Sequence, residues 1–257
     1  MKLGAQLYSV VDHIQTSEGI RETFLKMKEI GYQNVQLSGN GPIAAEELRD
    51  ICKETETSIV ITHSPATRIM DDTDALIAEH KLFGCPVIGL GAMDKSYRTG
   101  AEGVERFVAD FAEAVKKIEA AGLKFAYHNH AFELTTAYND EMNVFDYLIE
   151  NCPTWLFTAD VYWITKGGCD PVAYLEKIGG DRLINVHYKD MANDEEKSIC
   201  ACGDGIIDFK KLTDVCERLG VKNILVEQDN AKKCEGGDIA QMIKSFKYLR
   251  PIIPMEE

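Results

Sequence analysis

The sequence predicts an α/β fold, a single (β/α)8 barrel of the TIM type, for the whole chain, residues 1–257. Three observations carry this. Short β-rich runs alternate with longer helical patterns from end to end, eight times over. The runs are mostly apolar, as expected of parallel strands covered on both faces. Several of them end in residues suited to binding a metal, and the strand ends of such a barrel meet on one rim. An open doubly wound sheet explains neither the eight units nor the shared character of the strand ends.

The units follow in order. A strand at Leu3–Tyr8 leads to a helix at Glu18–Ile30, and Asn34–Leu37 leads to Ala44–Glu56. Ser58–Thr62 precedes Asp71–Phe83, and Val87–Leu90 precedes Ala101–Ala121. Within that last helix Val104, Phe107, Val108, Phe111, Val115 and Ile118 recur at three or four residues, the pattern of one buried face. Lys124–His128 is followed by Val144–Glu150, Leu156–Ala159 by Asp170–Lys177, Leu183–His187 by Phe209–Leu219, and Asn223–Glu227 by Ile239–Tyr248. Gly31, Gly84, Gly122, Gly179 and Gly220 stand where helix C-caps belong, and Asp208 reads as an N-cap. The loops after the fourth, fifth and seventh strands are the longest and should wall the site.

Composition narrows the function. The formal net charge is −14, and an acidic surface repels a phosphate backbone, so no nucleic-acid partner is expected. No apolar run approaches the length of a membrane span, and the N-terminus has no signal-peptide pattern; a cytoplasmic enzyme with no membrane association is expected. The 8 cysteines are scattered without a CxxC pair, which fits reduced thiols. A homodimer or homotetramer is compatible with this composition.

The chemistry lies at four strand ends: Tyr127-His128-Asn129-His130 with Glu133 just beyond, Asp160, His187-Tyr188-Lys189-Asp190, and Glu227-Gln228-Asp229. A charged residue closing an apolar run is costly to bury unless it is paired, hydrogen-bonded or metal-bound. Carboxylates gathered on one rim repel each other, and a divalent cation removes that repulsion. Each residue alone could equally cap a helix or pair with a lysine. Asp160, His187 and Glu227 together are much less easily explained so. His63 ends the third strand and points toward the same rim, while Gln6, Tyr8 and Trp163 are candidate pocket walls. Gly203-Asp204-Gly205 is a turn at which a phosphate could sit.

The chain resembles the xylose-isomerase-like TIM-barrel superfamily, the sugar phosphate isomerase/epimerase group, related to inosose dehydratases and keto-glycoside lyases. The resemblance runs through Gly4-Ala5-Gln6-Leu7-Tyr8-Ser9-Val10, Ala126-Tyr127-His128-Asn129-His130, Asp160-Val161-Tyr162-Trp163, His187-Tyr188-Lys189-Asp190, Gly203-Asp204-Gly205-Ile206-Ile207-Asp208-Phe209 and Val226-Glu227-Gln228-Asp229-Asn230. It implies one divalent metal held by Glu, Asp, His and Glu at the ends of strands five to eight. Asp160, His187 and Glu227 match the last three. The first position departs from the pattern, with His128 where the usual Glu stands. Either His128 is the ligand, or Glu133 reaches in; the set Glu133, Asp160, His187 and Glu227 leaves His128 and His130 free for proton transfer. Mn²⁺ suits such a site best, with Mg²⁺, Co²⁺ or Zn²⁺ as alternatives.

The implied reaction is sugar or sugar-phosphate isomerisation or epimerisation by proton abstraction next to a carbonyl, through a metal-stabilised enediolate. Glu227, His130, His128 and Lys189 are the expected catalytic residues. Elimination from an inosose or 3-keto-glycoside is the alternative. A three-zinc DNA-repair branch of the fold needs more than these 6 histidines, and has a histidine where this chain has Trp163. A non-catalytic sugar-binding barrel is the remaining class.

Overall fold

The computed structural model describes residues 1–255. Eight parallel strands close into a barrel: β1 (Lys2–Gln6), β2 (Val35–Ser38), β3 (Ile59–His63), β4 (Val87–Leu90), β5 (Lys124–His128), β6 (Leu156–Asp160), β7 (Leu183–Tyr188) and β10 (Asn223–Val226). Each strand pairs with its neighbour in the chain, and β1 closes the ring against β10. The remaining two strands, β8 (Asp190–Met191) and β9 (Ile199–Cys200), form a small antiparallel ribbon in the loop after β7, which the alternation pattern did not foresee.

The helices are α1 (Ser17–Ile30), α2 (Ala45–Thr55), α3 (Ala66–Asp71), α4 (Thr73–Phe83), α5 (Ala101–Ala120), α6 (Phe132–Thr135), α7 (Val144–Asn151), α8 (Val161–Lys166), α9 (Pro171–Ile178), α10 (Phe209–Arg218) and α11 (Gly237–Leu249). Sequence periodicity located the long ones and missed α3, α6 and α8, which are too short to show a repeat. The first strand is also shorter than expected. Gln6 turns the chain by accepting the Tyr8 amide on its side chain, and Leu7–Ile14 coils as a 3-10 helix. Asp208 does cap α10, accepting the Lys211 amide. Gly31 ends α1 at φ 118°, a conformation that an L side chain rarely adopts.

Two apolar layers result. One lies between strands and helices and includes Phe107, Phe111, Phe125, Phe145 and Phe157. The other plugs the barrel itself with Ile61, Val87, Ala126 and Leu225. Gly4 is required at this inner surface, because a Cβ there would stand 1.9 Å from the Asn34 Oδ1. Above Ala126 and Leu225 the next inward positions on the same strands are His128 and Glu227, so the plug becomes the floor of the site. Among the described residues no helix is long and apolar enough to cross a membrane.

Candidate metal centre

Strand register brings the ligand candidates together. Asp160 and His187 are direct partners across β6 and β7, and His128 of β5 lies opposite Thr158, two residues before Asp160. Glu227 follows β10, whose Leu225 is the partner of His187. One donor atom each from His128, Asp160, His187 and Glu227 lies within 4.8 Å of all the others, and all four residues are buried. The Asp160 Oδ2 is 3.4 Å from His128 Nε2 and 3.8 Å from His187 Nδ1, and His187 Nδ1 is 2.9 Å from Glu227 Oε2. Ligands about 2.1 Å from a tetrahedral ion lie ~3.4 Å apart, so these edges bracket a coordination shell.

The far side of each imidazole fixes which nitrogen faces inward. His128 Nδ1 is 2.9 Å from the Gly91 carbonyl, which can only accept, so that nitrogen carries the proton. His187 Nε2 is 2.8 Å from the Gln36 Oε1, another acceptor. Both rings in their neutral form therefore turn a lone pair toward two carboxylates. Acceptors facing acceptors at such distances need a proton or a cation between them. The donor set, two imidazoles and two carboxylates, suits a divalent transition metal or Zn²⁺.

Lys189 is the one cation already there. Its ammonium is buried, 3.2 Å from Asp160 Oδ2, 2.9 Å from Glu227 Oε2 and 3.0 Å from Asp229 Oδ2. Burial works against every charge in this group. It tends to raise the Asp160 carboxyl, but Lys189 and then His128 hold it below the carboxylate range. Glu227 is lowered in the same way, burial being outweighed first by Lys189. Asp229, left with less help, is pushed up to about 6 by burial and by Glu227. Three carboxylates against one ammonium leave a negative excess that a divalent ion would balance.

Of the residues expected at the site, Gln6, Tyr8, His63, His128, His130, Lys189 and Glu227 line one cavity of about 420 Å³ at the barrel mouth. Asp160 and His187 lie beneath it, fully buried. Trp163 stands behind this wall, its ring 5.1 Å from the His130 ring and 5.3 Å from the Lys189 Nζ. The wall comes from the ends and following loops of β1, β2, β3, β4, β5, β7 and β10, so loops four, five and seven each contribute to it but do not form it alone.

Glu133 is not brought to the cluster. It lies in α6, fully buried, with one oxygen taken by the Tyr127 hydroxyl and the other 2.8 Å from the His130 amide. His128 occupies the position next to Asp160 instead. Burial pushes the Glu133 carboxyl up to about 8. A carboxyl raised in the folded state contributes stability that is complete below the ordinary carboxylate range and is lost as pH rises through 8. Glu133→Gln should abolish that loss, gaining up to about 5 kcal/mol over the native chain between pH 4 and pH 9 if the whole shift is expressed. Melting curves of both proteins across that range test this; parallel curves would refute it.

Sequence reasoning missed Gln36 and the Gly91 carbonyl. Gln36 had a signal, a lone amide inside the apolar run Val35-Gln36-Leu37; a backbone carbonyl has none. The Gly203-Asp204-Gly205 turn proves not to be an open anion site. Its amides, from Gly203 and Gly205, are 2.9 and 3.0 Å from the Asp190 Oδ2 and already satisfied by it.

Comparison with known proteins agrees with the fold. A family model described as xylose isomerase-like TIM barrel matches residues 24–252. No curated protein matches the chain in sequence. Among solved structures, a sugar phosphate isomerase/epimerase from Parabacteroides distasonis superposes with TM-score 0.78 at 22% identity, over 97% of this chain and 98% of that one. The IOLI protein with a bound zinc atom gives 0.74 at 11% identity, over 99% and 100%. A probable 3-DHS dehydratase from Bacillus anthracis gives 0.71 at 14% identity, over 97% and 99%. With a closed eight-stranded barrel and a family match over most of its length, the chain belongs to the xylose isomerase-like TIM barrel family.

Proposed function

We propose that the protein is a metal-dependent isomerase or epimerase of a small carbohydrate, working by proton abstraction next to a carbonyl. The observation that carries this is the pair of imidazoles, each fixed from behind, whose inward nitrogens face two buried carboxylates under an open cavity. His128, Asp160, His187 and Glu227 would hold the ion, with His128 rather than Glu133 as the first ligand; Mn²⁺ remains the preferred metal, and the zinc of the IOLI protein makes Zn²⁺ its nearest rival. A divalent ion there would polarise a substrate carbonyl and acidify the adjacent carbon.

The chain supplies the proton acceptors. His130 Nδ1 and His63 Nε2 are buried nitrogens with no hydrogen-bond partner. Burial, with His128 next, lowers both rings, His130 to about 3, so each is neutral and has a free lone pair. His130 takes the proton on one face of the substrate, and the second oxygen of Glu227 serves the other. The Lys189 ammonium, held charged by Asp160 and Glu227 against the cost of burial, places a fixed positive charge near the oxygen that gains negative charge. Tyr8, 44% exposed at the cavity mouth, gives a face for a sugar ring, and Gln6 and Trp163 shape the walls.

A second reading is elimination by a lyase of an inosose or 3-keto-glycoside. His130, unpartnered at the cavity wall, favours it, since the imidazolium formed when it takes the carbon-bound proton can return that proton to a leaving oxygen. The similarity to a probable dehydratase adds to it. Proton NMR in D₂O with the Mg²⁺- or Zn²⁺-loaded protein and a panel of ketoses, inososes and 3-keto-glucosides separates the readings. Deuterium next to the carbonyl with all hydroxyls retained is the expected result. Loss of a hydroxyl or aglycone would make the protein a lyase, and no exchange with any of them would remove both readings.

A further inference from the structure

The catalytic cavity does not end at its own wall. A second cavity of about 400 Å³ lies between the loops after β2 and β3 and the inner face of α4, and it shares Gly39 and His63 with the first. Both volumes are in the range of small-molecule sites. His63 stands at the junction. Its ring is 5.1 Å from that of His128, and its Nε2 is one of the buried nitrogens without a partner.

The second cavity has a definite chemistry. Leu37, Pro42, Ile43, Leu48, Leu76 and Phe83 make only a little more than half of its lining apolar. Arg68 also borders it, but its guanidinium is already paired with Asp72 at 2.8 Å and Glu79 at 2.9 Å, so the wall offers no free positive charge for a phosphate. The polar part is a directed chain. The Leu76 carbonyl accepts from His80 Nδ1 at 2.8 Å, which leaves His80 Nε2 as an acceptor, because burial lowers this imidazole to about 4 and keeps it neutral. The Thr62 hydroxyl, 2.8 Å away, must then donate to that nitrogen. Ser64, 3.0 Å from Thr62 Oγ1, must in turn donate to Thr62. The proton of Ser64 is thus used inward, and its lone pairs are what it presents to the cavity it lines.

We infer that the substrate has two parts: a sugar-type ring at the candidate metal centre, joined past His63 and Gly39 to a neutral, mostly apolar ring whose hydroxyl donates to Ser64 Oγ. This rests on the proposed carbohydrate reading for the first ring, but not for the cavity itself. Ala45, at the start of α2, faces the same cavity, and phenylalanine there would fill it.

The test uses the full chain loaded with Mg²⁺ and two probes, hydroquinone and 4-hydroxyphenyl β-D-glucopyranoside, with binding followed by ligand-observed NMR and calorimetry. Hydroquinone is expected to bind the native protein, to lose at least tenfold in affinity in Ala45→Phe and severalfold in Ser64→Ala, and to bind at least tenfold more weakly than the glucoside. Ser64→Ala removes only a hydroxyl, so it remains informative if Ala45→Phe does not fold. Hydroquinone binding that is absent, or unchanged in both variants, would overturn the second-ring site. A glucoside no tighter than hydroquinone would overturn the two-part substrate. If hydroquinone behaves as expected while the D₂O experiment shows no exchange, the cavity assignment stands and the carbohydrate isomerase reading falls, so the two failures are distinct.

Discussion

Asp160→Ala and Glu227→Ala should each strip the protein of bound metal and of turnover while leaving a cooperative melt. Asp160 divides its two oxygens: Oδ2 faces His128, His187 and Lys189, and Oδ1 accepts the Trp163 amide 3.1 Å away, capping α8. Alanine therefore costs the metal a carboxylate and the helix its cap, the latter worth about 1 kcal/mol. That is too little to unfold a barrel whose two apolar layers are untouched. The affinity loss should exceed the roughly 10–100-fold typical of changes in the groups behind the ligands. Gln36→Leu belongs to that milder class, because it frees His187 to turn its proton inward without removing a ligand. His128→Ala should also lose metal, whereas Glu133→Gln should keep it. Metal content by elemental analysis of the purified variants decides the matter; unchanged content in both Asp160→Ala and Glu227→Ala would place any metal elsewhere.

The largest loss of stability is expected at Asp190, which touches no part of the cavity. Its carboxylate accepts four backbone amides: Met191 at 2.8 Å and Ile207 at 3.1 Å on Oδ1, Gly203 at 2.9 Å and Gly205 at 3.0 Å on Oδ2. These bonds latch the long loop after β7, with its β8–β9 ribbon, onto the end of the strand that carries His187 and Lys189. Gly205 must be glycine, since a Cβ there would approach Asp190 Oδ1 to 2.4 Å. Asp190→Ala leaves the amides without an acceptor, at about 1–3 kcal/mol for each that stays buried. A total near 4 kcal/mol would lower the melting temperature by about 10 °C in a protein of this size. Asp190→Asn should be intermediate, because the amide nitrogen cannot accept. Thermal denaturation followed by circular dichroism measures it, and a shift under about 2 °C would show that water replaces the carboxylate.

Much of this protein is legible in its sequence, and the reason is periodicity. Eight apolar runs with helices between them specify a closed parallel barrel, and a barrel forces strand ends to converge. Asp160, His187 and Glu227 could therefore be assigned to one rim without coordinates. The short elements α3, α6 and α8, the coiled segment Leu7–Ile14 and the β8–β9 ribbon lie beyond the strand ends, where the chain no longer repeats. The choice between His128 and Glu133 falls in the same region. Sequence spacing allows both, but α6 starts at Phe132 and turns Glu133 back onto Tyr127 and the His130 amide, while β5 pairs His128 with Thr158 and so brings its ring to the Asp160 carboxylate. The inward lone pairs of His128 and His187 depend on Gly91 and Gln36, which lie 37 and 151 residues away along the chain. The placing of two cavities on either side of His63 likewise exists only once β2, β3 and α4 are packed. The sequence by itself determined the barrel and the residue types on its rim, because those follow from local period and strand order. The tertiary structure alone decided which atoms face each other and which are already satisfied, because that depends on contacts between residues far apart in the chain.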